Sequence, residues 1–221
     1  MIKQLRKLSQ PILWRLYKWY LSSPRWYIYK DIKVRLLPTV FHPGWLVSTM
    51  TLIDYLTDIE WYGKTVLELG AGSGLISLVA AKNGAIVTAS DINPKAIEAL
   101  KQSAQINNLK IFIIESDLFN EIKRQPFDYI LLNPPYFPKD PIDYWERAFF
   151  CGSNFEYFHS LFYQIHDYMS ESTKAFMILN EYCHLEAIHT IATKHNIDLK
   201  IVYTHKRSGE KQFIFEIEEN K

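Results

Sequence analysis

Cysteine is nearly missing from this chain: only Cys151 and Cys183 occur among 221 residues. Their spacing makes no metal pattern and no cleavable signal peptide is read ahead of them, so a reduced, cytoplasmic protein without disulfides is expected. Internal repeats and low-complexity tracts are also lacking. Neither disorder nor a transmembrane segment fits a composition that is 48% hydrophobic and 22% charged. Acidic residues are scarce in one place. The first 53 positions carry Lys3, Arg6, Lys7, Arg15, Lys18, Arg25, Lys30, Lys33 and Arg35 against Asp31 alone, so the net charge of +1 hides a basic front and an acidic remainder.

Two regions follow from the pattern. Residues 1–45 form a basic, aromatic-rich lead segment. Leu5, Leu8, Ile12, Leu13, Leu16 and Tyr20 give residues 2 to 21 a helical spacing that Pro11 and Pro24 interrupt or end. Residues 46–221 begin with a helix over Leu46 to Leu56 and then alternate strands and helices at the spacing of βαβ units, the mark of a parallel sheet. Strands are expected near 65–69, 86–90, 110–114, 128–132, 174–179, 199–205 and 211–217, with helices near 74–83, 94–107, 155–169 and 184–195. Ser208-Gly209 is a turn signal joining the last two strands as an antiparallel hairpin. The fold class expected is α/β: a Rossmann-like, seven-stranded, mostly parallel sheet with a C-terminal antiparallel hairpin and helices on both faces.

Chemistry-bearing residues recur at the carboxyl ends of these strands, the edge where open α/β sheets bind ligands. After the strand ending at Leu69 comes Gly70-Ala71-Gly72-Ser73-Gly74, preceded by Glu68. Glycines permit positive φ and close approach of a ligand to the backbone. The pattern Glu-x-Gly-x-Gly-x-Gly departs from the dinucleotide fingerprint, which points to a cofactor without pyrophosphate. Asp91 ends the next strand, where a carboxylate can grip a ribose diol; a merely solvated strand end is the alternative. Asp117 follows the third strand and can accept from an exocyclic adenine amine, or else cap a helix over Leu118 to Lys123. After the fourth strand, Asn133-Pro134-Pro135-Tyr136 forces the backbone out of the sheet, because proline cannot extend a ladder. Taken alone it would be a proline-rich turn.

In this order at successive strand ends, the glycine loop, Asp91, Asp117 and Asn133-Pro134-Pro135-Tyr136 resemble the class I S-adenosylmethionine-dependent methyltransferases. The likeness covers residues 40–217 and falls in the Asn-Pro-Pro-Tyr branch, the small methyltransferase domain group that includes HemK-like protein glutamine methyltransferases and RNA methyltransferases. It implies S-adenosyl-L-methionine as cofactor, with Gly70, Gly72 and Gly74 bordering the methionine moiety and Glu68 beneath its ammonium. It further implies Asp91 on the ribose hydroxyls, Ile92 beside the adenine, Asp117 on the adenine amine and the Leu118 backbone on the ring. Phe41-His42-Pro43-Gly44 matches the segment that closes over the methionine end, which makes Thr49 a cofactor contact, and the resemblance counts Asn133 among the cofactor-binding residues as well. No metal is implied.

Asn133, Pro134, Pro135 and Tyr136 suit the methylation of a planar nitrogen whose lone pair is delocalised. The Asn133 oxygen and the Pro134 carbonyl would each accept one N–H, and Tyr136 would stack on the planar group. No histidine or cysteine base is required, and His42, His159, His166 and His184 read as surface or packed side chains. Residues 137–153 read as a substrate lid, with core packing of their aromatics as the alternative. The function expected is N-methylation of an amide or exocyclic amine, a protein glutamine favoured over an rRNA or tRNA base; the rival is a noncatalytic methyltransferase-fold protein that binds RNA or a partner. Residues 1–35, with Trp14, Trp19 and Trp26, could contact nucleic acid, an acidic protein surface or an anionic membrane surface, or pack on the sheet. A monomer is expected.

Overall fold

The computed structural model describes residues 22–220 apart from 41, 44–46 and 208. The lead helix read over residues 2 to 21, with Trp14 and Trp19, lies outside the described residues, as do Phe41 and Gly44 of the Phe-His-Pro-Gly match.

A short antiparallel hairpin, β1 (Arg25–Tyr29) and β2 (Ile32–Leu36), comes first. Helix α1 (Val47–Tyr55) leads into β3 (Thr65–Leu69), α2 (Leu75–Lys82), β4 (Ile86–Asp91), α3 (Pro94–Ile106) and β5 (Ile111–Glu115). Strand β6 (Tyr129–Leu132), the short α4 (Tyr144–Arg147), α5 (Glu156–Gln164), β7 (Lys174–Asn180), α6 (Leu185–Lys194), β8 (Ile197–Arg207) and β9 (Glu210–Glu219) complete the order. The seven-stranded sheet runs β5-β4-β3-β6-β7-β9-β8; β3 to β7 are parallel, and β9 is antiparallel to both β7 and β8. The strand order reverses between β3 and β6, and that switch point opens a crevice at their carboxyl ends.

Each face of the sheet is sealed by its own core, as the strand alternation dictates. Leu67, Leu69, Ile130, Leu132 and Met177 bury against Phe158, Leu161 and Phe162 of α5 and Ile188 and Ile191 of α6. Val66, Val87, Leu131, Phe176 and Ile178 bury against Leu52 and Ile53 of α1, Leu75, Ile76 and Leu78 of α2 and Leu100 of α3. Burial on both sides is why the strands are nearly continuous apolar runs.

The hairpin β1–β2 stands where no strand was read from the sequence. Ile32, Val34 and Leu36 join the second core, and the strand is tied to α3: Lys33 N–H donates to Asn107 Oδ1 at 3.0 Å and Arg35 N–H to Ser103 Oγ at 2.8 Å. Two helical expectations are corrected. Residues 118–121 form a turn in place of the helix that Asp117 was an alternative cap for, because the Ser116 hydroxyl donates to the Leu118 carbonyl at 2.8 Å and accepts from Glu121 N–H at 3.1 Å, fixing a tight loop. The helix expected to reach 169 ends at Gln164 and gives way to a 3₁₀ turn, Ile165–Tyr168, whose Tyr168 hydroxyl is held by the Ile122 carbonyl at 2.8 Å.

Candidate active site

The ends of β3, β4, β5 and β6 line one cavity of about 520 Å³. At its floor, Gly70 follows β3 with φ of 66°, and nothing lies within 4 Å of where a Cβ would point. That opening, in a backbone conformation that favours glycine, leaves the loop bare to a ligand. Gly74 works differently. It also has a left-handed φ of 71°, but a Cβ there would lie 2.2 Å from Leu100 Cδ1, so this glycine lets α3 pack against the loop and does not line the cavity.

Glu68 points from β3 toward α2, where Ser77 donates to its Oε2 from the backbone N–H at 2.8 Å and also from the hydroxyl. Burial pushes its carboxyl up to about 7, outweighing the two Ser77 bonds that pull it down, and the nearby Asp91 adds to the rise. Asp91 ends β4 and ties the loop together: its Oδ2 accepts from Gly72 N–H at 2.7 Å and its Oδ1 from Asn93 N–H at 2.8 Å. Burial raises its carboxyl above the usual range despite those bonds. Asn93 then caps α3, accepting from Lys95 N–H at 3.0 Å, with Pro94 at the first helical position where no N–H is needed.

At the end of β5, capping falls to Ser116, so the Asp117 carboxylate and the Leu118 N–H have no partner among the described residues. A carboxylate beside an unused N–H is an acceptor–donor pair of the kind a purine edge can meet. These residues fit an adenosyl cofactor by their chemistry: a bare glycine loop, a carboxylate lining the cavity at the end of the next strand, and an acceptor–donor pair at the end of the third.

Across the switch point, the Asn133 amide nitrogen donates to Ser48 Oγ at 3.2 Å and to Thr49 Oγ1 at 3.3 Å, both on α1. Its oxygen and the Pro134 carbonyl are left without donors among the described residues. The Tyr136 hydroxyl accepts from Asn180 Nδ2 at 2.9 Å, and its ring meets Phe137 edge-on at 4.7 Å. Residues 137–153 fold back over this corner: Tyr136 and Phe137 N–H donate to Phe149 O at 3.1 and 3.0 Å, and Cys151 N–H to Phe137 O at 3.0 Å. Both readings of this segment hold for different side chains, since Trp145 is buried while Tyr144 and Arg147 line the cavity.

The cavity thus gathers Thr49, Glu68, Gly70, Gly72, Asp91, Ile92, Asp117, Leu118, Asn133, Pro134, Pro135 and Tyr136. Sequence reasoning missed Ser48, Asn180 and Tyr157. The histidines lie elsewhere: His42 is buried edge-on to Tyr27 at 5.1 Å, its pKa lowered by burial to about 4, and His166 bonds Glu219 at 2.7 Å. Burial raises the Cys151 and Cys183 thiols to about 11 and 12, which leaves them poor nucleophiles.

A switch-point crevice with a glycine loop on one side and an Asn-Pro-Pro-Tyr corner on the other defines a methyltransferase fold. The model of the methyltransferase small domain family matches residues 31–149, more than half of the chain, and the chain belongs to that family. It is 43% identical over 110 residues to a Methanocaldococcus jannaschii protein provisionally named a protein N5-glutamine methyltransferase, covering 49% of this chain and 53% of that one. It is 32% identical over 117 residues to ribosomal RNA small subunit methyltransferase C of Hamiltonella defensa, covering 52% of this chain and 34% of the relative. The matched part is thus about half or less of these relatives' length. The E. cuniculi Mtq2–Trm112 complex, described as responsible for methylation of the termination factor eRF1, shares the fold with a TM-score of 0.62 at 21% identity, over 83% of this chain and 99% of that one.

Proposed function

We propose that the protein is an S-adenosylmethionine-dependent N-methyltransferase whose acceptor is a planar nitrogen, a protein glutamine side chain rather than an RNA base. The observation that carries this is the anchored Asn133. With its NH₂ donating to Ser48 and Thr49, its oxygen is left open to receive an N–H from outside, next to the Pro134 carbonyl.

When bound, S-adenosylmethionine supplies a sulfonium-activated methyl group. Gly70, Gly72 and Glu68 would hold its methionine end, Asp91 its ribose, and Ile92, Asp117 and Leu118 its adenine. Asn133 Oδ1 and Pro134 O orient an acceptor NH₂ by taking one hydrogen each, and stabilise the positive charge that grows on the nitrogen. Tyr136, fixed by Asn180, covers the planar face. The alkylated nitrogen is acidic and sheds its proton to water, so no side-chain base is needed, in keeping with a cavity lined by neither histidine nor reactive thiol.

The charge of the cavity favours protein over RNA. Beyond the residues assigned to the cofactor, Asp140 and Glu156 line it against Arg147, a field that does not suit a polyanion. The RNA reading draws on the basic lead segment and on the ribosomal RNA relative. The protein is further proposed to act as a monomer in a reduced, cytoplasmic setting; no helix of the described residues is long and apolar enough to cross a membrane. Incubation with tritiated S-adenosylmethionine and fractionated lysate tests the assignment. Label in protein is expected; label in RNA alone transfers the assignment to a base, and label in neither, with cofactor binding measured, supports the noncatalytic rival.

A further inference from the structure

Tyr157 is the one aromatic side chain of α5 that faces the cavity; its neighbours Phe158, Leu161 and Phe162 fill the core. An uncommon chain reversal puts it there. Gly152 has φ of 89° and Phe155, which precedes the helix, has φ of 61°, a left-handed conformation that a bulky residue adopts only when its surroundings impose it. The turn is secured by Phe155 N–H to Gly152 O at 3.1 Å, Tyr157 N–H to Cys151 O at 3.0 Å, and the Glu156 carboxylate, which accepts from Asn154 N–H and Nδ2 at 3.0 Å each. The Tyr157 ring then stands edge-on to Phe158, 5.5 Å away at 83°.

The half-buried phenol so placed opens on the cavity and has no hydrogen-bond partner among the described residues. Tyr168 and Tyr136 in the same core do find theirs, on Ile122 and Asn180. Packing alone would be met by phenylalanine, as at 158 and 162. Burial first, then the carboxylates of Asp91 and Asp117, hold the phenol's proton on, so the group is a hydrogen-bond donor across the working pH range. An uncommitted donor therefore stands within electrostatic range of the two carboxylates assigned above to ribose and adenine.

We propose that Tyr157 is a cofactor-binding residue at the nucleoside end of the cavity, donating its phenol hydrogen to a ring nitrogen or ribose oxygen of the bound nucleoside. The inference rests on the cofactor reading given under Proposed function. It also joins the two halves of the site, because residues 137–155, which fold over the Asn-Pro-Pro-Tyr corner, end in the turn that aims this ring.

Calorimetry of wild type and Tyr157→Phe with S-adenosylhomocysteine and with 5′-methylthioadenosine, which lacks the amino-acid end, tests it. The variant is expected to bind both ligands about 3- to 10-fold more weakly, by the same factor. Unchanged affinity for both, or a loss confined to S-adenosylhomocysteine, overturns the assignment. Should the variant fold poorly, photolabelling of the wild-type protein with an 8-azidoadenine analogue of the cofactor decides the matter: label on the peptide spanning residues 156–164 supports the contact, and label only elsewhere overturns it. A wild-type protein that binds neither nucleoside ligand would overturn the cofactor reading itself, and this inference with it.

Discussion

The two halves of the cavity are built on different principles. On the cofactor side, each proposed contact apart from Tyr157 sits at or just beyond the strand that positions it, and the loop is braced over short spans: Asp91 to Gly72, Asp91 to Asn93, Glu68 to Ser77. On the acceptor side, orientation comes from far along the chain. Asn133 is held by Ser48, 85 residues away, and Tyr136 by Asn180, 44 residues away. A cofactor shared by many enzymes can be met by a local, repeated device, whereas an acceptor is met by side chains that the folded core alone brings together. Substitutions on the two sides should therefore separate binding from turnover.

The largest separation is expected at Asn133. Asn133→Ala removes a preorganised acceptor for the substrate N–H and should lower turnover about 10²- to 10³-fold while leaving S-adenosylhomocysteine affinity within about 2-fold. Turnover equal to wild type would remove the acceptor half from the chemistry altogether.

Next comes Glu68, whose effect belongs to the cofactor half and shows in stability. Its carboxyl stands at about 7 in the folded protein against an ordinary value of 4.5. Between those values the folded chain keeps a proton that the unfolded chain has lost, so stability falls as pH rises through this window, by roughly 3 kcal/mol. Urea unfolding at pH 5 and pH 8 measures it. Glu68→Gln keeps an acceptor for Ser77 and should flatten the dependence; an equal slope in both proteins would show that Glu68 is not its source. An ammonium group held over Glu68 would favour the ionised form, so cofactor binding near neutral pH should release protons, read by calorimetry in buffers of different ionisation enthalpy.

The same contrast explains what was legible in the sequence. Glycine at 70 and the proline pair at 134 and 135 announce backbone geometry directly, and Asp91 is readable from its place behind them. Ser48 is one hydroxyl among many until the fold sets it beside Asn133. Ser116 and Asp117 are both good capping residues, and only in the fold does Ser116 brace the turn and leave Asp117 over. Tyr157 looks like one more aromatic in a helix whose phenylalanines are core. The β1–β2 hairpin alternates as strands should, but it turns at Lys30, with φ of 51°, without the Asn-Gly signal that marks most tight hairpins.

Asp91→Ala should act on the cofactor side alone, weakening S-adenosylhomocysteine binding by about 1 to 3 kcal/mol through loss of a hydrogen-bonded carboxylate. Because Asp91 also braces Gly72 and Asn93, unfolding of the ligand-free variant must be measured beside binding. Lost affinity with stability retained assigns the carboxylate to the ligand, and unchanged affinity excludes the ribose role.

The smallest effect tests the border between the halves. Thr49 was expected at the cofactor from sequence, yet its hydroxyl meets the Asn133 amide, as does that of Ser48. If the two hydroxyls serve to aim Asn133, Ser48→Ala and Thr49→Val should each lower turnover about 2- to 10-fold with cofactor affinity unchanged. Their effects should vanish in an Asn133→Ala background, since a double-mutant cycle between groups in contact reports their coupling. A Thr49→Val protein that binds S-adenosylhomocysteine more weakly and keeps its turnover at saturating cofactor would place Thr49 with the cofactor, and would move the border between the two halves from Asn133 to α1.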